Sequence, residues 1–260
     1  MMVDLLQFLL LTLSIQPIWT FATDINILRI NGGRNISIED ASFMVAMVIL
    51  TTDNKITFCG GSIIHEKFIL TAGHCFRKSV NPLNAGGAVG IDDLDNEDGI
   101  DFTVDKKFCT RISTTVPYYD DICLLKLNKS LEFGSQVAPI KLPEKDLKLE
   151  EGTLVNVTGW DKTENSSNVV INLQQGTESI MSDESCLKNY PNITTNSQFC
   201  AGSNGQGYCS RYSGGPVISN GVQVGVVTSS DGCSDEYGAV YTKVSSYLDW
   251  IHEAINENLP

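Results

Sequence analysis

Seven short apolar runs punctuate the chain: FMVAMVIL (43–50), ITFCGGSII (56–64), FILTAG (68–73), ICLLKL (122–127), LVNVTGW (154–160), VQVGVVT (222–228) and AVYTKV (239–244). Each is rich in β-branched residues, too short for a stable helix, and often bounded by Gly, Asn or Asp. Short strands of this kind bury their apolar residues only by pairing into sheets that close or stack, so the pattern predicts an all-β sandwich or barrel. The exception lies at the end of the chain. In SSYLDWIHEAINENLP, Leu248, Ile251 and Ile255 recur at helical spacing, and Ser246 with Asp249 forms a capping box, which predicts one amphipathic helix over 246–258. The segment GSQVAPIKLPEKDLKLEEG (134–152) has two prolines, many charges and few strand signals, and reads as a connector between two β halves.

The first residues place the chain in a compartment. An apolar run from Leu5 to Ile15, followed by Thr20 and Ala22, reads as a secretory signal over 1–22. Eight cysteines, with no CxxC pair and only three histidines, suit disulfides in an oxidising setting rather than zinc ligation. Sequons at Asn35, Asn128, Asn165 and Asn192 offer glycosylation sites, with Asn156 the weakest because it sits in an expected strand. The net charge of −13 repels phosphate backbones and anionic lipid, so neither nucleic acid nor a membrane surface is an expected partner.

Three polar reactive groups abut these strands and glycine-rich turns: His74 in TAGHC, Asp121 in DDICLL and Ser213 in CSRYSGGP. Serine is inert at neutral pH unless an imidazole accepts its proton, and a buried carboxylate then holds that imidazole in the right tautomer. Singly, each has a plain structural alternative, such as a histidine at a strand end or a tight SGGP turn. Asp120 competes with Asp121 for the carboxylate role, and His65 in SIIHEKF reads as a surface residue.

Taken together, INGG, FCGGSII, TAGHC, DICLLKL, VTGW, FCAG, SGGPV and VYTKV resemble the trypsin/chymotrypsin family of serine proteases from about Ile30 to Trp250. The resemblance implies two six-stranded antiparallel β-barrels, about 30–135 and 136–246, within a protease domain over 30–260. It implies His74 as general base, Asp121 as its orienter and Ser213 as nucleophile, acting on a protein or peptide substrate as a monomer without a cofactor. It also implies disulfides Cys59–Cys75, Cys186–Cys200 and Cys209–Cys233. Cys109 and Cys123 are then left either to bridge each other or, for Cys123, to fill the core as a free thiol. Arg29 before Ile30 resembles an activation cleavage site, making 23–29 a propeptide.

The match fails around the serine. In the family the freed amino group, here that of Ile30, pairs with an aspartate immediately before the serine, and that position is Tyr212. Arg211 replaces a glycine whose backbone N–H, with that of Ser213, would form the oxyanion hole. The substrate pocket departs as well, with Gly207 in place of an aspartate, Ser229 and Ser230 in place of a Trp-Gly wall, and Ala239 in place of a glycine. Such a pocket would not favour Lys or Arg. Finally, IDDLDNEDGIDF (91–102) offers Asp92, Asp95, Asp98 and Asp101 as oxygen ligands for calcium, against the plain reading of a solvated acidic loop. Two functions are expected from these features: a secreted endopeptidase of weak or conditional activity, or a silent homologue that binds a protease, its substrate or its inhibitor.

Overall fold

Alternation along one early strand sets up both halves of the fold. The computed structural model describes residues 34–77, 85–96, 98–110, 119–161, 172–202, 213–228 and 238–259. The described chain opens with β1 (Arg34–Asn35) and then enters β2 (Met44–Leu50). In β2, Val45, Met47 and Ile49 face a barrel interior, whereas Met44 and Ala46 join a second cluster with Ile36, Ile91, Trp160 and Leu173. Successive side chains point to opposite faces of a strand. Here both faces find apolar partners, so the run is continuous rather than alternating.

Together with β3 (Ile56–His65), β4 (Phe68–Thr71), β5 (Ala85–Val89), β6 (Ile100–Cys109) and β7 (Cys123–Leu127), β2 closes an antiparallel barrel in the order β2-β3-β4-β7-β6-β5. A second ring follows from β8 (Leu154–Asp161), β9 (Asn172–Ile180), β10 (Gln198–Gly202), β11 (Pro216–Ser219), β12 (Val222–Val227) and β13 (Ala239–Lys243). Its order is β9-β10-β13-β12-β11-β8, and the β8–β9 pairing closes it. The fold is therefore the pair of six-stranded antiparallel barrels expected from the sequence. Between them, residues 128–153 contain no strand and run along the second barrel, through a bridge from Lys141 to Val222, Leu147 and Leu149 against its core, and bonds of Gly152 and Thr153 with Ile180, as a connector should.

Each barrel is tied to the other by the chain's opposite end. β1 pairs with β9, Arg34 opposite Gln175, so the residues just past the expected activation site lie on the C-terminal barrel rather than within the N-terminal one. The closing helix, α2 (Leu248–Asn258), instead packs Leu248, Ile251 and Ala254 into the core of the N-terminal barrel. Burying a side chain such as Ile251 contributes about 1.5–3 kcal/mol. Between the barrels, the buried Ser62 hydroxyl donates to Gln223 Oε1 at 2.6 Å, and Gln223 Nε2 donates to Gly225 O at 3.2 Å.

Two helical details differ from the sequence reading. A 3-10 turn, Val244–Tyr247, precedes α2, which starts two residues after the expected 246. The capping box does not form, because the Ser246 hydroxyl donates to Asn196 O at 2.6 Å and Tyr247 occupies the N-cap. A second helix, α1 (Asp183–Asn189), was not expected, and it is capped by Ser182, whose hydroxyl accepts from Ser185 N at 3.2 Å.

Candidate active site

The histidine stands where β4 runs out. Past Thr71 the chain turns through a 3-10 segment, Gly73–Phe76, and the Cys59–Cys75 disulfide fastens that turn to β3. Asp121 precedes β7, after a residue with positive φ, Asp120 at 49°. That left-handed step is tolerated by aspartate better than by most residues. It sends the two neighbouring acids in different directions. Asp120 accepts from the Tyr247 hydroxyl at 2.6 Å, while Asp121, fully buried, turns to the histidine. The Tyr247 hydroxyl is raised well above its ordinary pKa, by burial first and by the Asp120 bond second.

His74 meets the Asp121 carboxylate twice. Its backbone N–H donates to Oδ1 at 2.7 Å, and its ring Nδ1 lies 2.6 Å from Oδ2. An ionised carboxylate only accepts, so Nδ1 carries the proton and Nε2 is left as the basic nitrogen. An unpaired buried carboxylate would cost several kcal/mol, and these two bonds offset that cost. Behind the acid, the Thr242 hydroxyl donates to the Asp121 carbonyl at 3.1 Å, bringing β13 of the second barrel against the site.

Ser213 arrives from the other barrel, half-buried, in the turn that leads into β11. Its carbonyl accepts from Gly60 N at 2.8 Å, and Gly214 N donates to Val227 O at 2.8 Å. Gly214 has φ +87°, and a Cβ there would fall 2.2 Å from Thr71 Oγ1 and 2.5 Å from Gly60 O. Only glycine lets the serine turn press this closely on the strands that lead to His74. One atom records the convergence: Cys75 Sγ lies 4.0 Å from His74 Nε2 and 3.8 Å from Ser213 O. The arrangement thus brings an imidazole oriented by a buried carboxylate and the backbone of a serine turn together at the seam of two barrels.

Of the expected pocket, Ala239 is buried at the start of β13, next to Gly238, whose carbonyl accepts from the Tyr190 hydroxyl at 2.7 Å. Gly207, Ser229, Ser230, Arg211, Tyr212, Arg29, Ile30, the Cys209–Cys233 pair, Asn165, the 1–22 signal and the 23–29 propeptide lie outside the described residues. Three disulfides are formed among the described residues: Cys59–Cys75, Cys186–Cys200 and Cys109–Cys123. The last joins directly opposed residues of β6 and β7.

His65, the last residue of β3, is half-buried, and its Nδ1 accepts from Lys67 N at 3.1 Å. His74 with Cys59 and Cys75 is the one grouping of metal-ligating atoms among the described residues, but both sulfurs are spent in a disulfide and offer no thiolate. In the acidic loop, Asp95, Asp98 and Asp101 are exposed and Asp92 is half-buried. Backbone turns there are closed by Asp93, which accepts from Asp95 N, and by Asn96, which accepts from Asp98 N, each at 2.9 Å. Asn35, Asn128 and Asn192 are exposed. Asn156 accepts from the Thr177 hydroxyl at 2.8 Å, and Thr158 of its sequon is fully buried.

One ionisable group escaped the sequence reading. Glu178 of β9 is buried inside the second barrel and accepts from the Tyr241 hydroxyl at 2.7 Å, while its other oxygen has no hydrogen-bond partner among the described residues. Burial pushes its pKa up to about 8, against the smaller lowering by the Tyr241 bond. The signal that could have found it is the period-two spacing back from the buried Ile180.

Comparison with known proteins agrees with this geometry. The family model described as Trypsin matches residues 30–251. Trypsin 5G1 of Aedes aegypti is 33% identical over 236 residues, spanning 86% of this chain and 84% of the relative. Duodenase-1 of Bos taurus is 30% identical over 239 residues, spanning 87% and 89%. A solved structure described as "Structure of GrC" matches with a TM-score of 0.78 at 24% identity, covering 87% of this chain and 100% of that one, a likeness of fold.

Proposed function

Since the chain belongs to the trypsin family of serine proteases, we propose that it is a secreted endopeptidase whose Ser213, His74 and Asp121 hydrolyse peptide bonds, with turnover well below that of an ordinary member. The observation that carries this reading is the double contact of His74 with Asp121, 2.7 Å from the backbone and 2.6 Å from the ring. A histidine so fixed has one task open to its Nε2, to take the proton of the serine hydroxyl as Oγ attacks the scissile carbonyl and to return it to the leaving amine. Water then repeats the cycle on the acyl-enzyme. Secretion is supported by the Leu5–Ile15 apolar run and by three disulfides. Among the described residues no helix is long and apolar enough to cross a membrane.

The low turnover follows from two residues beside the serine. Tyr212 carries no negative charge near neutral pH, so the amino group freed by cleavage after Arg29 gains no ionic partner on Ile30. Arg211 brings a β-carbon to a position whose N–H would serve the oxyanion, and losing one such donor lowers turnover by about 10²–10³. Gly207 supplies no carboxylate to the pocket, so cleavage is not directed to Lys or Arg. The same two substitutions favour a second reading, a silent homologue that binds a protease's substrate or inhibitor.

Labelling the Arg29-cleaved protein with an organophosphate, with Ser213→Ala as control, separates the two. Slow, Ser213-dependent labelling that accelerates by about 10²-fold or more in the Arg211→Gly/Tyr212→Asp variant is the expected result. Labelling as fast as an ordinary member's would refute the impairment. No labelling even in the double variant would leave the silent reading in possession.

A further inference from the structure

The backbone on both sides of Asp121 is held from the end of β6. Thr110, the residue after β6, donates its N–H to Ile122 O at 3.3 Å, and its hydroxyl bonds Asp120 O and also Ile122 O. Immediately before it, Cys109 is joined to Cys123, the residue two places beyond Asp121. The covalent link therefore closes the end of the β6–β7 ladder where the chain is about to present the carboxylate. It also keeps Thr110 against the carbonyls on both sides of Asp121.

We propose that the Cys109–Cys123 disulfide is the positioning clamp of Asp121, and that thiols can open it. The inference deepens the reading of Asp121 as the partner of His74 and rests on it. Neither cysteine touches a reacting atom, and the clamp acts through Asp121 alone. Cys123 is fully buried, but Cys109 is exposed, whereas Cys59, Cys75, Cys186 and Cys200 are all buried. An attacking thiolate therefore reaches Cys109 Sγ before any other sulfur of the described bridges. The reductant is a dithiol. Its first sulfur bonds Cys109 as the S–S bond breaks and Cys123 leaves as a thiolate that takes a proton. Its second sulfur then displaces Cys109, so two electrons pass to the cystine and the reductant ends as its own disulfide. Opening the bridge frees the end of β6 from β7 and lets Asp121 move within reach of more than one His74 geometry.

The other barrel supplies the control. Cys186–Cys200 closes a loop of the same sequence separation, 14 residues, away from Asp121. Deleting either bridge removes a similar loop constraint from the unfolded chain, so a purely structural role predicts the same outcome for both. The test is the exchange rate with water of the His74 Nδ1 proton, read by NMR on the full folded protein, alongside the organophosphate labelling rate.

Cys109→Ala/Cys123→Ala is expected to speed that exchange at least tenfold, and Cys186→Ala/Cys200→Ala to leave it within twofold. Thr110→Val, which keeps the disulfide, is expected to give about a threefold rise and covers the case in which the double variant does not fold. Titrating the wild-type protein with a dithiol, with alkylation and mass mapping, should open Cys109–Cys123 before the other two described bridges and reproduce the fast exchange. Unchanged exchange in the Cys109/Cys123 variant, equal changes in both double variants, or earlier opening of another described bridge would overturn the proposal. Because the proton signal does not require turnover, a protein that never labels but shows the selective exchange keeps the clamp and loses only the endopeptidase reading.

Discussion

The barrel of β2 to β7 encloses aliphatic and aromatic side chains such as Met47, Phe68, Leu70 and Leu124, whereas the barrel of β8 to β13 encloses Glu178 and Tyr241 among its apolar residues. The site is divided along the same line. His74 and Asp121 stand on the first barrel, each next to a disulfide, Cys59–Cys75 and Cys109–Cys123. Ser213 stands on the other, immediately after Arg211 and Tyr212 in the sequence. The difference teaches where precision is stored. The half that would handle the proton is fixed by covalent links and a carboxylate bonded twice by His74, and the sequence departures from the family fall on the half that would handle the oxyanion.

The sharpest way to break this comparison is to disable the fixed half without unfolding it. Asp121→Asn keeps the shape but offers an N–H where Oδ2 accepts from His74. The imidazole then adopts the opposite tautomer, with Nε2 protonated and unable to take the serine's proton. A fall of about 10⁴ in the Ser213 labelling rate is expected. The control is an unchanged denaturation midpoint, which shows that the fold survives. A loss below about tenfold would mean that His74 and Asp121 are already out of use, and that the two halves are equally impaired.

The buried acid of the second barrel makes the opposite prediction, on stability rather than rate. Glu178 titrates at about 8 in the folded protein against 4.5 for an unperturbed glutamate. Between those values the folded state holds a proton that the unfolded state has released. Stability from this group is thus full below about 4.5 and is lost as pH rises toward 8, by at most about 1.4 kcal/mol per pH unit. Glu178→Gln keeps an acceptor for Tyr241 and cannot ionise. Its stability relative to wild type should climb between pH 5 and pH 8, measured by urea denaturation at both. A flat difference would show that Glu178 is already ionised or hydrated in the folded protein, and that the contrast between the barrel interiors is smaller than drawn.

How far the sequence revealed all this depends on what each residue had to signal. SGGP carries Gly214 because its turn needs it, with a positive φ and no room for a Cβ, which would fall 2.2 Å from Thr71 Oγ1. Four strands of the first barrel, β2, β3, β4 and β7, were legible because their apolar runs are continuous, whereas β5, AGGAV, and β6, IDFTVDKKFC, carry too little continuous apolar sequence to show. β9, NLQQGTESI, was not, since Gln174 and Glu178 occupy buried positions and break the apolar period. α1 is seven residues long, too short to show helical spacing, and its cap Ser182 is an ordinary serine until the chain is folded. The choice between Asp120 and Asp121 rested on family resemblance alone. Physically it depends on the left-handed turn at Asp120 and on Tyr247, a partner 127 residues away. Cys109 and Cys123 stayed open for the same reason, because strand register, which sequence spacing does not specify, places them opposite each other.

The smallest expected effect lies on the seam between the barrels. Ser62 and Gln223 are fully buried, and the Ser62 hydroxyl is the donor to Gln223 Oε1. Ser62→Ala leaves that oxygen desolvated and without its bond, at a cost of about 1–3 kcal/mol. Gln223 Nε2 keeps Gly225 O, so the glutamine is not expected to swing away. Removing both polar groups, Ser62→Ala with Gln223→Leu, deletes the unsatisfied acceptor along with its donor and should recover most of the loss. A single urea transition in all three proteins, with the midpoint lowest for Ser62→Ala, would show that the two interiors, however different, unfold as one. Two separate transitions in Ser62→Ala would instead show that this one hydroxyl couples the half carrying His74 and Asp121 to the half carrying Ser213.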